Sequence, residues 1–219
     1  MVKAAVFDLD GTLLNTLKDL AAAGNYSLAA HGFVTHEISA YKRFIGSGTY
    51  QLAKRALPPE YRENDALVRA VHADMCDYYS RHLMEETQPY GGVVPMLKRL
   101  RQRGILVGVL TNKPDGNAKM LAEKLLPGLT DRVQGQREDF PTKPDPSGLF
   151  EIMEYFHETP EHCIYVGDST IDLETGTNAG VRTIGVSWGF TPRSTLINAG
   201  EFVIVDKVED LAALLIDNQ

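Results

Sequence analysis

The sequence predicts an α/β protein: a doubly wound parallel sheet with an all-helical insert close to the N terminus. Three observations carry that expectation. Five short apolar runs, at residues 2–7, 105–110, 163–166, 181–186 and 202–205, are mostly continuous rather than alternating, as strands covered on both faces are. Stretches with apolar residues at helical spacing separate the later runs, so strand and helix alternate. The interval between the first run and the second breaks that rhythm, because it is helical in character almost throughout.

Taken in order, the first strand at 2–7 stops at Asp8. Helical stretches follow at 17–30, 38–44, 50–57 and 65–83, interrupted at Gly32, Gly46-Ser47-Gly48 and Pro58-Pro59. Glycine and proline end helices there, one by freeing the backbone and the other by lacking an amide donor. The helical insert is placed at residues 15–84, leaving 1–14 and 85–219 as the sheet-bearing core. A helix at 95–103 turns Met96, Leu97 and Leu100 to one side ahead of the strand at 105–110. Another helix at 147–156 precedes the strand at 163–166, and one at 208–215 follows the last strand. No repeat, low-complexity tract or long linker separates insert from core, so the two are expected to pack together.

Composition narrows the function. With 219 residues the chain exceeds the rough prior of about 150 per domain, and the insert accounts for the surplus. A hydrophobic content of 43% is enough for a substantial core. The net charge of −7 has the wrong sign for a protein that grips nucleic acid or an anionic membrane. Cys76 and Cys163 form no metal or disulfide spacing, which fits a reducing cytoplasm. No apolar run approaches the length of a signal peptide core or a membrane span, so a soluble, unprocessed protein is expected.

The chemistry collects at strand ends, where open α/β sheets bind their ligands. The first strand runs into Asp8-Leu9-Asp10-Gly11-Thr12, two carboxylates followed by a turn-forming glycine. The second runs into Thr111-Asn112, a hydroxyl and an amide that can bond an oxyanion or cap a helix. Lys143-Pro144-Asp145-Pro146 then fixes a cation in a stiff segment, and the next strand ends in Gly167-Asp168-Ser169-Thr170-Ile171-Asp172. Each piece alone has an ordinary explanation as a solvated turn or a surface lysine. In this order at successive strand ends they supply what metal-assisted phosphoryl transfer needs: a nucleophile, a proton carrier, oxygen ligands for Mg²⁺, and donors around a phosphate.

On these four motifs the sequence resembles the haloacid dehalogenase superfamily, and most of all its phosphoglycolate phosphatase-like branch, over essentially the whole chain. The resemblance implies a Rossmann-like core with a helical cap. It implies Asp8 as the nucleophile that becomes an aspartyl-phosphate and Asp10 as the acid and base. Thr111, Asn112 and Lys143 are implied as phosphate-binding groups, with Lys143 also holding the nucleophile. Asp8, the Asp10 carbonyl and Asp168 are implied as Mg²⁺ ligands, supported by Asp172. Asp10 speaks against the phosphonatase and dehalogenase branches. The stretch Arg43-Phe44-Ile45-Gly46-Ser47-Gly48 is similar to the substrate-specificity segment of the phosphoglycolate branch. Arg43 there can meet a substrate carboxylate and the glycines can admit close backbone approach, or the residues can simply end a helix.

The implied partner is therefore a small phosphorylated metabolite. A sugar phosphomutase of the same superfamily and a binding protein on the same fold are the alternatives. Asn15-Thr16 and the segment Glu174, Gly176, Thr177 depart from common relatives without touching the implied chemistry. Neither a P-loop nor a dinucleotide-binding glycine motif is present. His31 with His36, and His157 with His162, lack zinc-ligand spacing, and Cys76 reads as a small core residue. Trp188, beyond the strand at 181–186, reads as packing with a pocket role open.

Overall fold

The computed structural model describes residues 2–217. Its first strand, β1 (Ala4–Phe7), is wholly buried because its neighbours cover both edges and both faces. A two-residue strand β2 (Leu14–Asn15) leads into α1 (Leu17–Ala30), a 3-10 segment at Ile38–Arg43, α2 (Gly48–Ala56) and α3 (Asp65–Arg81). The chain returns through β3 (Gln88–Pro89), which pairs antiparallel with β2 and so brackets the helical segment. Then follow α4 (Val93–Gln102), β4 (Leu106–Pro114), α5 (Asp115–Leu125), β5 (Arg132–Gln136), α6 (Ser147–Phe156), β6 (Cys163–Gly167), α7 (Thr170–Asn178), β7 (Arg182–Val186), α8 (Arg193–Asn198), β8 (Val203–Val205) and α9 (Val208–Asp217).

Six strands form one parallel sheet in the order β5-β4-β1-β6-β7-β8. The order reverses direction at β1, the switch point where open α/β sheets leave a crevice. Phe7 lies level with Val109 and Val166, so Asp8, Thr111 and Asp168 emerge from three adjacent strands at one end of the sheet. Alternation along β1 divides the core: Ala4 and Val6 face α6 through Leu149, Ile152 and Phe156, while Ala5 and Phe7 face the opposite layer. That second layer holds Met96, Leu97 and Leu211, and it runs without a break into Leu20, Leu28, Val68 and Met75 of the helical segment. Apolar burial therefore ties segment to sheet. Buried Asp19 pins the return crossing, accepting from the Glu86 and Thr87 amides and, at 2.7 Å, from the Thr87 hydroxyl.

The expected strands and helices all form, with local differences. The segment at 38–44 is a 3-10 turn rather than an α-helix, and β4 extends beyond residue 110 to Pro114. Strand β5 was not expected, since its sequence Arg-Val-Gln-Gly-Gln is too polar to read as buried, as befits a sheet edge. Helix α7 carries three threonines and a glycine, poor helix formers. A capping box starts it: Ser169 accepts from the Asp172 amide while Asp172 accepts from the Ser169 amide.

Candidate active site

The site is built on the turn after β1. The Asp8 amide still bonds Val166 at 2.8 Å, and the chain then reverses at Gly11, where φ is 90°. A Cβ at Gly11 would stand 2.4 Å from Asp168 Oδ2, so this glycine is required by a close approach as well as by its backbone. Lys143 reaches in from the loop before α6. Its ammonium donates to Asp8 Oδ1 at 2.8 Å, Asp172 Oδ1 at 2.6 Å and Tyr165 Oη at 3.0 Å. Asp168 accepts from the Thr12 hydroxyl at 3.2 Å and the Phe190 amide at 2.7 Å. Carboxylate oxygens of Asp8, Asp168 and Asp172 lie within 4.8 Å of one another, all buried.

Such crowding has an electrostatic consequence. Burial pushes the Asp8 carboxyl up to about 7, with Asp172 adding to the rise and Lys143 opposing it. Asp168 is raised well above the ordinary carboxylate range by burial and then by Asp8 and Asp172. Burial works against the charge of Lys143, yet Asp172 and Asp8 outweigh it and hold the ammonium well above its usual value. Two buried carboxyls held up by desolvation and by neighbouring carboxylates are a set of hard oxygen donors that a divalent cation can satisfy.

The Asp172 carboxylate accepts from Lys143, from Tyr165, and from both the amide and hydroxyl of Ser169. A carboxylate offers about four lone-pair sites, so Asp172 is occupied in holding Lys143 and the start of α7. Asn112 is likewise engaged. Its amide donates to the Lys143 and Gly46 carbonyls, and its oxygen accepts from the Lys143 amide at 2.9 Å. These bonds orient Lys143 and tie the loop at Gly46 to the core, while Asn112 also lines the cavity beside Asp8. Thr111 is buried and lines the cavity beside Asp8.

That cavity, about 50 Å³, has Asp8, Asp10, Thr111 and Asp168 on its floor and Lys42, Gly46 and Gly48 of the helical segment above. It adjoins a wider cleft of about 780 Å³ lined by Lys42, Arg43, Ser47 and Arg55. Of the anticipated specificity residues, Gly46 and Gly48 therefore reach the cavity. Arg43 and Ser47 line only the cleft, where Ser47 accepts from Arg55 at 2.8 Å. Lys42, which the sequence reading passed over, borders both spaces. The reading also missed Lys113, whose ammonium bonds both Asp10 oxygens at 2.9 Å, and Tyr165. The available signal for Lys113 was its place directly after Thr111-Asn112 at the end of β4. Trp188 donates its indole N–H to the Thr12 carbonyl, and so braces the turn after β1.

The model of the haloacid dehalogenase-like hydrolase family matches residues 5–186. The chain belongs to the haloacid dehalogenase-like hydrolases. A phosphoglycolate phosphatase of Rhodospirillum rubrum is 33% identical over 98% of this chain and 90% of its own length. An N-acetylmuramic acid 6-phosphate phosphatase of Pseudomonas aeruginosa is 28% identical, covering 98% and 95%. The crystal structure of a candidate phosphoglycolate phosphatase from Lactobacillus delbrueckii subsp. bulgaricus superposes with a TM-score of 0.93 at 32% identity, over 97% of this chain and 98% of that one. This haloacid dehalogenase-like chain is accordingly an enzyme of the phosphoric monoester hydrolase class, as its motifs implied. No described helix is long and apolar enough to cross a membrane.

Proposed function

We propose that this enzyme hydrolyses a small phosphomonoester, phosphoglycolate foremost, with Mg²⁺ as its cation and a phosphorylated Asp8 as intermediate. The observation that carries the reading is the meeting of Asp8, Lys143 and Asp168 in one buried cluster at the switch point of the sheet. An Asp8 oxygen attacks phosphorus as the ester oxygen departs, and Asp10 gives that oxygen its proton. Asp10 then takes a proton from the water that attacks the phosphoaspartate, which releases phosphate and restores Asp8. Lys143 holds Asp8 in line and balances charge on the phosphate, and Thr111 donates its hydroxyl. Mg²⁺, held by the Asp8 and Asp168 carboxylates and the Asp10 carbonyl, supplies the positive charge that lets a dianion approach this acidic floor. Asp172 supports that set through Lys143. We take residues 15–84 as a cap whose closure excludes water, and the cytoplasm as the setting for a chain with two free cysteines.

Phosphate fills the cavity in this reading, and the leaving group points into the wider cleft under Lys42 and Arg43. The size of that cleft favours a second substrate type, a phosphorylated sugar acid, which also brings a carboxylate. A panel of phosphoglycolate, N-acetylmuramic acid 6-phosphate and p-nitrophenyl phosphate, assayed for released phosphate, decides between them. β-Glucose 1-phosphate is added to the panel, and conversion to the 6-phosphate without free phosphate would mark a mutase instead. Lys42→Ala is expected to raise KM for the preferred carboxylated substrate about tenfold, while p-nitrophenyl phosphate shifts less than about twofold. A larger effect of Arg43→Ala would return the carboxylate contact to Arg43.

Mg²⁺ binding should depend on pH in a defined sense. The folded protein keeps a proton on Asp8 between the ordinary value of 3.8 and about 7, a range where the unfolded chain has lost it. Stability without metal therefore falls as pH rises through that window. At pH 8 the ionised carboxylates are left for the cation to compensate. Mg²⁺ is expected to raise the melting temperature by several degrees at pH 8 and by little at pH 5. Equal gains at both pH values would count against these carboxylates as the ligands.

A further inference from the structure

Lys113 is as deeply placed as Lys143 but has no part in the mechanism above. Its side chain is 1% exposed, at the cavity end of β4, and both Asp10 oxygens lie 2.9 Å from its ammonium. Among the described residues Tyr79 also holds that charge, its ring centroid 4.7 Å from Nζ. Tyr79 belongs to α3 in the helical segment and is itself buried. Burying an ammonium is costly unless it is paired, so Asp10 and Tyr79 define where this lysine can sit. Conversely, a bidentate contact fixes both oxygens of Asp10. The two lysines divide the acidic floor, Lys143 taking Asp8 and Asp172 while Lys113 takes Asp10 alone.

We propose that Lys113, caged by Tyr79 of the helical segment, is the positioning residue that aims Asp10 at the leaving-group oxygen. This rests on the reading of Asp10 as the group that protonates that oxygen. As the Asp8–phosphorus bond forms and the phosphorus–ester oxygen bond breaks, the proton passes from Asp10 to the ester oxygen. Lys113 neither gives nor takes a proton. Because its cage is half core and half helical segment, the acid is aimed only when the segment is docked.

Leaving-group dependence tests this. p-Nitrophenolate departs with little need of a proton, whereas an alkoxide requires one, so glycerol 1-phosphate and p-nitrophenyl phosphate are compared. Lys113→Met is expected to lower kcat on glycerol 1-phosphate about 100-fold and on p-nitrophenyl phosphate less than about threefold, with KM little changed. Lys113→Arg should recover part of the loss, and Tyr79→Leu should show the same split to a smaller degree. Asp10→Asn serves as the reference and must show the split in full. If Asp10→Asn shows it and folded Lys113→Met, Lys113→Arg and Tyr79→Leu do not, the positioning role is overturned while the proposed function stands. Equal losses on both substrates in the Lys113 variants would likewise reduce Lys113 to a structural ion pair, and a loss confined to KM would make it a substrate contact. No split in Asp10→Asn would overturn the acid assignment and this proposal with it.

Discussion

Asp8→Asn is expected to lower phosphatase turnover by about four orders of magnitude or more while leaving the fold intact. The carboxamide has nearly the shape of the carboxylate, so the packing of β1 and its turn is preserved. What it lacks is the anionic oxygen that attacks phosphorus in the proposed mechanism, and no neighbour can replace it. Asp172 is occupied by four hydrogen bonds, Asp168 is fixed by Thr12 and Phe190, and Asp10 is held by Lys113. Stability should move the other way. Burial already holds Asp8 at about 7, so removing its charge relieves both desolvation and repulsion from Asp168 and Asp172. The metal-free variant is therefore expected to melt at or above the parent temperature at pH 8, and to lose much of its response to Mg²⁺. Phosphate release in single turnover and a thermal melt check the two halves. Turnover near the parent rate would place the nucleophile elsewhere.

Much of this site was legible because parallel strands buried on both faces leave continuous apolar runs, and a run that stops at a carboxylate marks a strand end. Asp8, Thr111 and Asp168 could be placed in that way, and their meeting follows from the sheet order rather than from any local pattern. Side-chain commitments were not legible. Asn112 reads as an amide at a strand end, and nothing in its surroundings along the chain announces the bonds it makes to the Lys143 backbone and the Gly46 carbonyl. Lys42 and Arg43 are adjacent, and only the 3-10 path of Ile38–Arg43 decides that Lys42 is the one bordering the cavity. Asp19 and Tyr165 bond groups 67 and 22 residues away, too far for periodicity to register. Strand β5 stayed hidden for a different reason: an edge needs no apolar face on its open side.

Lys143→Met should be the most destabilising single change at the site, and the loss should depend on pH. The methionine fills similar space but leaves Asp8, Asp172 and the Tyr165 hydroxyl without their shared donor, all of them buried. Breaking a buried pair by removing one partner costs about 3–5 kcal/mol. Lys143 is the main influence lowering the pKa of Asp8, so without it that pKa rises above about 7. The variant then holds its extra proton over a wider range above 3.8, and its stability falls further as pH rises through that range. The destabilisation relative to the parent should be near its full size at pH 8 and clearly smaller at pH 5, where a proton on Asp8 replaces the missing ammonium. Urea titrations of both metal-free proteins at the two pH values measure it. A loss of equal size at both would assign the effect to packing rather than charge. Turnover should fall about 100-fold or more in the same variant, because Asp8 loses the contact that aims it. Lys143→Arg separates these roles: it keeps the charge and much of the stability, but cannot place one donor on Asp8, Asp172 and Tyr165 at once.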